Sequence, residues 1–167
     1  MKKSRFLAYG ALIAALYVAL TYLQNALLPG SATWAIQFRV SEALCVFALF
    51  TPAAIPGLTR GCLLFNLSYA GALPLDFLVG SLATLLATAG MYALRKVTVK
   101  GYPLFAMMLP AVSNAFLVGW ELSVYIGGAF WLNALYVAIG ELAVLVTLGT
   151  VLYYAMRNRG LDKRLFG

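Results

Sequence analysis

Gln37-Phe38-Arg39-Val40-Ser41-Glu42 stands between two strongly apolar stretches and is the most polar cluster of that region. It holds one basic and one acidic residue three apart, a spacing that a helix places on one face. Outward from it, in both directions, the sequence has the composition of membrane-spanning segments. The whole chain of 167 residues is 63% apolar and 10% charged, against about 25% charged for soluble domains. Several stretches approach or exceed the ~20 apolar residues that cross a bilayer. The expected fold is therefore an all-α integral membrane protein. A charged pair in that setting must neutralise itself or hold something, and the cluster reads as part of the mouth of a small-molecule site.

The formal charge of +7 does not point to nucleic acid, because Lys and Arg sit at the ends of apolar segments rather than in a polar patch. The positive-inside rule accounts for them. Cys45 and Cys62 both lie inside apolar segments, there is no CxxC spacing, and there is no histidine. Zinc sites and His-based catalysis are thereby excluded. Met1-Lys2-Lys3-Ser4-Arg5 before an apolar run imitates a signal peptide, but the run is too long for one.

One domain, 1–167, is expected, with six spans at about 6–28, 38–54, 57–72, 75–94, 103–120 and 129–156. Pro52 and Pro56 break the second span from the third, and Glu121 to Gly128 reads as an outer loop. Six spans put both termini on one side. Lys2, Lys3, Arg5, Arg60, Arg95, Lys96, Lys100, Arg157, Arg159, Lys163 and Arg164 fall there, eleven of the twelve basic residues, so the termini are expected in the cytoplasm. Glu42, Asp76, Glu121 and Glu141 sort to the outer half with Arg39, a formal −3. Such a field favours a cationic or donor-rich solute arriving from outside.

Glu141 is the most informative single residue. It lies about eleven residues, or about 16 Å, into the last span. Ala134 and Ala138 precede it on nearly the same face and leave room for a flat ligand. It reads either as a functional carboxylate facing a cavity or as a protonated, structural bond to a neighbouring helix. Arg39 and Glu42 are either a self-satisfied pair at a helix start or part of the site. Glu121 after Trp120 is an interfacial anchor or a ligand group. Asp76, at the start of the fourth span, leans towards a helix cap or dipole partner. Asn66 and Asn114 are mid-span amides that either bond another helix or read a ligand edge. Pro110 near Asn114 loosens its helix and frees backbone groups. Trp34, Tyr69, Trp120, Tyr125 and Trp131 cluster at outer ends, as an aromatic belt or, for one or two of them, as faces that stack on a planar ligand.

The first span carries a stripe of Ala8, Ala11, Ala15 and Ala19, with Gly10 and Ala14 beside it. Small residues at this spacing let another helix approach closely, whether inside the bundle or from a partner.

Taken together these residues resemble a known family. Six short spans with an alanine-striped first helix look like the substrate-binding S component of an energy-coupling-factor (ECF) transporter. More narrowly, Gln37-Phe38-Arg39-Val40-Ser41-Glu42-Ala43-Leu44 is similar to the signature of the QueT family. So are Gly80-Ser81-Leu82-Ala83-Thr84-Leu85-Leu86-Ala87 after Asp76, the stretch Pro110 to Asn114, and Gly140-Glu141. The similarity covers nearly the whole chain. It implies uptake of a queuosine precursor, chiefly 7-aminomethyl-7-deazaguanine, by a subunit of the bacterial plasma membrane. It implies as partners a membrane-embedded coupling subunit, docked on the alanine stripe, and two ATPase subunits. The candidate substrate site, read from the residues themselves, is drawn from Arg39, Glu42, Asn66, Asp76, Asn114, Trp120, Glu121, Trp131 and Glu141. The chemistry agrees: carboxylates suit an ammonium group and guanine-type N–H donors, and aromatic faces suit the ring. The chain has no Walker motif, phosphate loop or cofactor signature, so ATP hydrolysis would fall to other chains.

Three other readings remain open at this level: an S component for another vitamin-like solute, an ion-coupled secondary transporter using Glu141 as relay, and a non-transporting membrane subunit. The missing inverted repeat weighs against the second, and polar groups at depth weigh against the third. An intramembrane enzyme is least favoured, because no nucleophile–base pair is visible. The orientation is testable directly. A membrane-impermeant thiol reagent added to intact cells is expected to leave Ser4→Cys and Lys163→Cys unlabelled; labelling at either position would invert the topology and every depth assigned from it.

Overall fold

The computed structural model describes residues 2–29, 31 and 38–166. Its elements are α1 (Lys3–Leu27), a 3-10 helix (Val40–Leu49), α2 (Ala54–Ser68), α3 (Asp76–Leu94), α4 (Leu104–Tyr125), α5 (Phe130–Val144), a π-helical turn (Leu145–Gly149), α6 (Thr150–Asn158) and α7 (Leu161–Phe166). An isolated bridge between Val99 and Tyr102 is the extended pairing among the described residues. Four segments are long and apolar enough to cross a membrane: Lys3–Leu27, Asp76–Leu94, Leu104–Tyr125 and the continuous Phe130–Asn158. Val40–Leu49 and Ala54–Ser68 are shorter, so length alone accounts for four spans rather than the expected six.

The short segments are nevertheless central. The 3-10 helix is flanked by α1, α2, α3, α4, α5 and α6, and eight of its ten residues are buried. Its direction opposes that of α1: Ser41 and Glu42 meet Thr21 and Tyr17, while Phe47 lies near the other end beside Phe166. A 3-10 helix rises about 2.0 Å per residue, so ten residues reach about 20 Å where an α-helix would reach about 15 Å. Such runs rarely exceed four residues. Here the surrounding helices, rather than intrinsic preference, hold it. Parallel to α1 runs α2, with Gly57 against Gly10 and Gly61 against Ala14 and Tyr17.

Three boundaries differ from the sequence expectation. Helix α2 begins at Ala54 and runs through Pro56, because a proline in the first turn removes an N–H that has no intrahelical acceptor. Helix α4 extends to Tyr125, so Glu121 is helical rather than in a loop. No breaker intervenes before Gly127 and Gly128, which adopt φ of 93° and 87° and end the helix in a conformation suited to glycine. Beyond the expected end of the sixth span at 156, helix continues to Asn158, and Leu161–Phe166 then turns back and sets Phe166 edge-on to Tyr9, with centroids 5.4 Å apart.

Most of the core is Ile13, Leu44, Val46, Leu58, Met91, Met107 and their neighbours. A second cluster of Val79, Val118, Leu122 and Val137 fills the space between α3, α4 and α5. Helix contact here depends on missing side chains. A Cβ at Gly119 would stand 2.8 Å from the Cα of Ala134 and 2.9 Å from its backbone N, so α4 and α5 touch backbone to side-chain stub. Without a hydrophobic force between helices in lipid, such close packing is what holds them together. Gly119→Ala is expected to push α5 outward and destabilise the protein by about 1–3 kcal/mol, read as a lower thermal midpoint in detergent. An unchanged midpoint would show that the interface yields.

Candidate functional site

The site is built around the entry to the 3-10 helix, and Gln24 of α1 sets that entry. Its Oε1 accepts from the Val40 N–H at 2.8 Å, while its Nε2 donates to the Phe38 carbonyl and to Ser31 Oγ, the latter at 2.9 Å. Backbone on both sides of Arg39 is thereby held. Arg39 caps the helix from outside, with φ −86° and ψ 94°. Its side chain accordingly leaves the helix face that Glu42 occupies and crosses to α3, where Nη2 lies 3.9 Å from Asp76 Oδ1. The expected Arg39–Glu42 pair is thus replaced by an Arg39–Asp76 pair, because Arg39 has extended rather than helical backbone. Gly80 lies at this junction: a Cβ there would crowd Asn66 Nδ2 at 3.0 Å and meet Arg39 Nη1 at an ordinary 3.7 Å.

Asp76 does two jobs. Its Oδ2 accepts from the Leu73 N–H at 2.8 Å, which secures the turn into α3, and its Oδ1 faces Arg39. Asp76 thus stands in the first turn of α3, and its side chain makes no cap bond to the N–H groups of that helix. Asn66 donates to the Asp76 backbone carbonyl at 2.9 Å, which makes it a bond between α2 and α3. Glu42, fully buried, accepts from the Tyr17 hydroxyl at 2.8 Å and from Cys45 Sγ at 3.2 Å. Its neighbour Ser41 accepts from Thr21 at 2.8 Å.

Against this well-bonded half stands a second set with no such partners. Both oxygens of Glu141, both oxygens of Glu121 and both amide atoms of Asn114 are buried and meet no hydrogen-bond donor or acceptor among the described residues. Asn114 is 1% exposed, and both glutamates are 0% exposed. Glu121 lies beside the Asp76 carboxylate, and two carboxylates hydrogen-bond only when one carries a proton. Glu141 lies within electrostatic reach of Glu42 and Arg39. Arg39 is thus paired with Asp76 at 3.9 Å and lies within electrostatic reach of Glu121 and Glu141. Leaving such groups unpaired in an apolar interior costs about 1–3 kcal/mol each, and more when charged. Among the described residues no cluster of Asp, Glu or Cys is arranged to hold a metal ion.

The structure thus gathers Arg39, Glu42, Asp76, Glu121, Glu141, Asn66 and Asn114 within the bundle. Trp120 and Trp131 stand apart from them, 49% and 71% exposed on its outside. Trp120 precedes buried Glu121, and a one-residue step on a helix turns the side chain by about 100°. Their exposure separates them from the buried polar groups with which the sequence grouped them. Trp34 and Gln37 lie outside the described residues. Tyr17, Thr21 and Gln24 escaped the sequence reading, although their spacing of four and three residues is a polar stripe on an apolar helix. They share the buried face of α1 with Gly10, Ile13 and Ala14. Ala8, Ala11, Ala15 and Ala19 are exposed on the other side. Of these, Ala11, Ala15 and Ala19 help line an open groove along α1 and α2 with Leu7, Val18 and Leu64.

Long apolar helices around an enclosed, acid-rich polar centre define a multi-pass membrane protein of the transporter class. The model of the QueT transporter family matches residues 7–158, and the chain belongs to that family. No curated protein and no solved structure matches it.

Tyr17→Phe would leave Glu42 Oε1 without its donor while keeping the ring in place. It is expected to destabilise the protein by about 1–3 kcal/mol, seen as a lowered thermal midpoint. A midpoint equal to that of the parent would mean that the bond contributes nothing net.

Proposed function

We propose that this protein is the solute-binding S component of an ECF-type importer and that it takes up a queuosine precursor, 7-aminomethyl-7-deazaguanine or a close relative. The observation that carries this reading is the set of buried, unpartnered polar atoms on Glu141, Glu121 and Asn114. A solute with N–H donors and a positive charge is the chemical complement of that set. Four carboxylates around one guanidinium leave a formal −3 inside an apolar bundle, which protons or a bound cation must offset. The family's printed description, a transporter, agrees in class.

In this proposal the short segments Val40–Leu49 and Ala54–Ser68 complete a six-segment bundle with both termini in the cytoplasm of a bacterial cell, and the site is reached from outside. Separate ATPase subunits supply the energy through a membrane coupling subunit. The exposed alanine face of α1 and the groove beside it provide the docking surface, since small side chains allow close helix approach.

Binding and transport separate under this reading. Ala11→Leu and Ala15→Trp are expected to leave binding of 7-aminomethyl-7-deazaguanine by the purified protein within about twofold, because the polar centre lies on the opposite face of α1. Uptake in cells should fall to background. Normal uptake in both variants would overturn the S-component reading. Accumulation driven by an ion gradient in liposomes holding this chain alone would replace it with a secondary transporter.

A further inference from the structure

The unpartnered groups are not one patch but two, and their separation assigns the ends of the solute. Asn114 and Glu121 lie on α4 seven residues apart, which is nearly two full turns, so they share a face and stand about 10.5 Å apart along the axis. The level of Glu141 follows from the α4–α5 contact, where Gly119 meets Ala134. From that contact α5 runs opposite to α4. Seven residues along, Glu141 is about 10.5 Å from the contact level, and Asn114, five residues back on α4, is about 7.5 Å from it in the same direction. Glu141 and Asn114 are therefore at nearly one depth, while Glu121 lies to the other side of the contact with Asp76 beside it. Arg39 is within electrostatic reach of both ends.

The two ends differ in chemistry. Asn114 offers an unused donor and an unused acceptor, and Glu141 offers two unused acceptor oxygens. That combination matches the edge of a cyclic amide carrying an adjacent amino group: carbonyl, ring N–H and exocyclic N–H. At the other end the unused acceptors are the Glu121 oxygens, since Asp76 beside it already faces Arg39 and the Leu73 N–H, and a carboxylate there suits a compact ammonium. The two ends stand about 10.5 Å apart along α4, so a solute that meets both must carry its hydrogen-bonding edge and its charged group at opposite ends. We infer that Glu141 and Asn114 read the amide edge of the heterocycle, and that Glu121, backed by Asp76, selects for the cationic arm. This assignment rests on the deazapurine reading above and adds to it which residue sets specificity for charge.

The test compares two probes on three proteins: 7-aminomethyl-7-deazaguanine, and the same ring with a neutral methyl in place of the aminomethyl group. The parent is expected to prefer the amine. In Glu121→Gln that preference should shrink by about 10- to 150-fold, the worth of one charge-assisted bond, while affinity for the methyl probe is kept. In Glu141→Gln both affinities should fall together with the preference intact. If Glu121→Gln does not fold, Glu121→Asp, which retracts the charge by one carbon, should also reduce the preference. A preference unmoved at Glu121, or one lost at Glu141 instead, would overturn the assignment and leave the deazapurine reading standing. Binding of neither probe by the parent would overturn both.

Discussion

One constraint organises the molecule: a single guanidinium must be buried among four carboxylates in an apolar bundle. Arg39 is 5% exposed, and Asp76, Glu42, Glu121 and Glu141 are buried at least as deeply. An unpaired charge in such surroundings is prohibitively costly, so charges there are paired, protonated or bound to a ligand. The fold meets this by routing Arg39 away from its own helix to Asp76, and by giving Glu42 the Tyr17 hydroxyl. Among the described residues, Glu121 and Glu141 meet no hydrogen-bond donor. The polar centre is thus satisfied internally over part of its extent, and the unsatisfied part carries the functional proposal.

Helix α1 serves two ends because its faces are chemically distinct. Tyr17, Thr21 and Gln24 look inward and set the register of the 3-10 helix by direct bonds. The alanines look outward. The same helix thus positions the polar centre from one side and presents a small-residue face on the other.

The 3-10 helix and the π-turn are the two departures from regular α-geometry, and both lie next to the polar centre. The first begins immediately after Arg39. The second, Leu145–Gly149, begins four residues beyond Glu141. Helical irregularities of this kind recur at functional sites, because they re-aim side chains without breaking the backbone ladder. Neither is marked by a local sequence signal strong enough to predict it: Val40–Leu49 has ordinary helical composition, and Gly149 alone does not distinguish a π-turn from an α-helix.

Composition and charge placement by themselves determined that this chain is helical and membrane-embedded, and where most apolar segments start and stop. They do so because hydrocarbon forces backbone bonds to close within each segment, a local requirement that local sequence can state. They also picked out Glu42, Asp76, Glu121, Glu141 and Asn114, since a polar residue in an apolar run is conspicuous wherever it points. Only the tertiary structure decided which of these are already bonded and which are not. Arg39 goes to Asp76 rather than Glu42 because its backbone at the helix cap is extended rather than helical. Tyr17 matters because it ends against a carboxylate 25 residues away. Trp120 and Trp131 fall outside because helix rotation, set by packing at Gly119 and Ala134, turns them to the surface. Pairing between segments depends on rotation and register, and those quantities are fixed by contacts that no single stretch of chain contains.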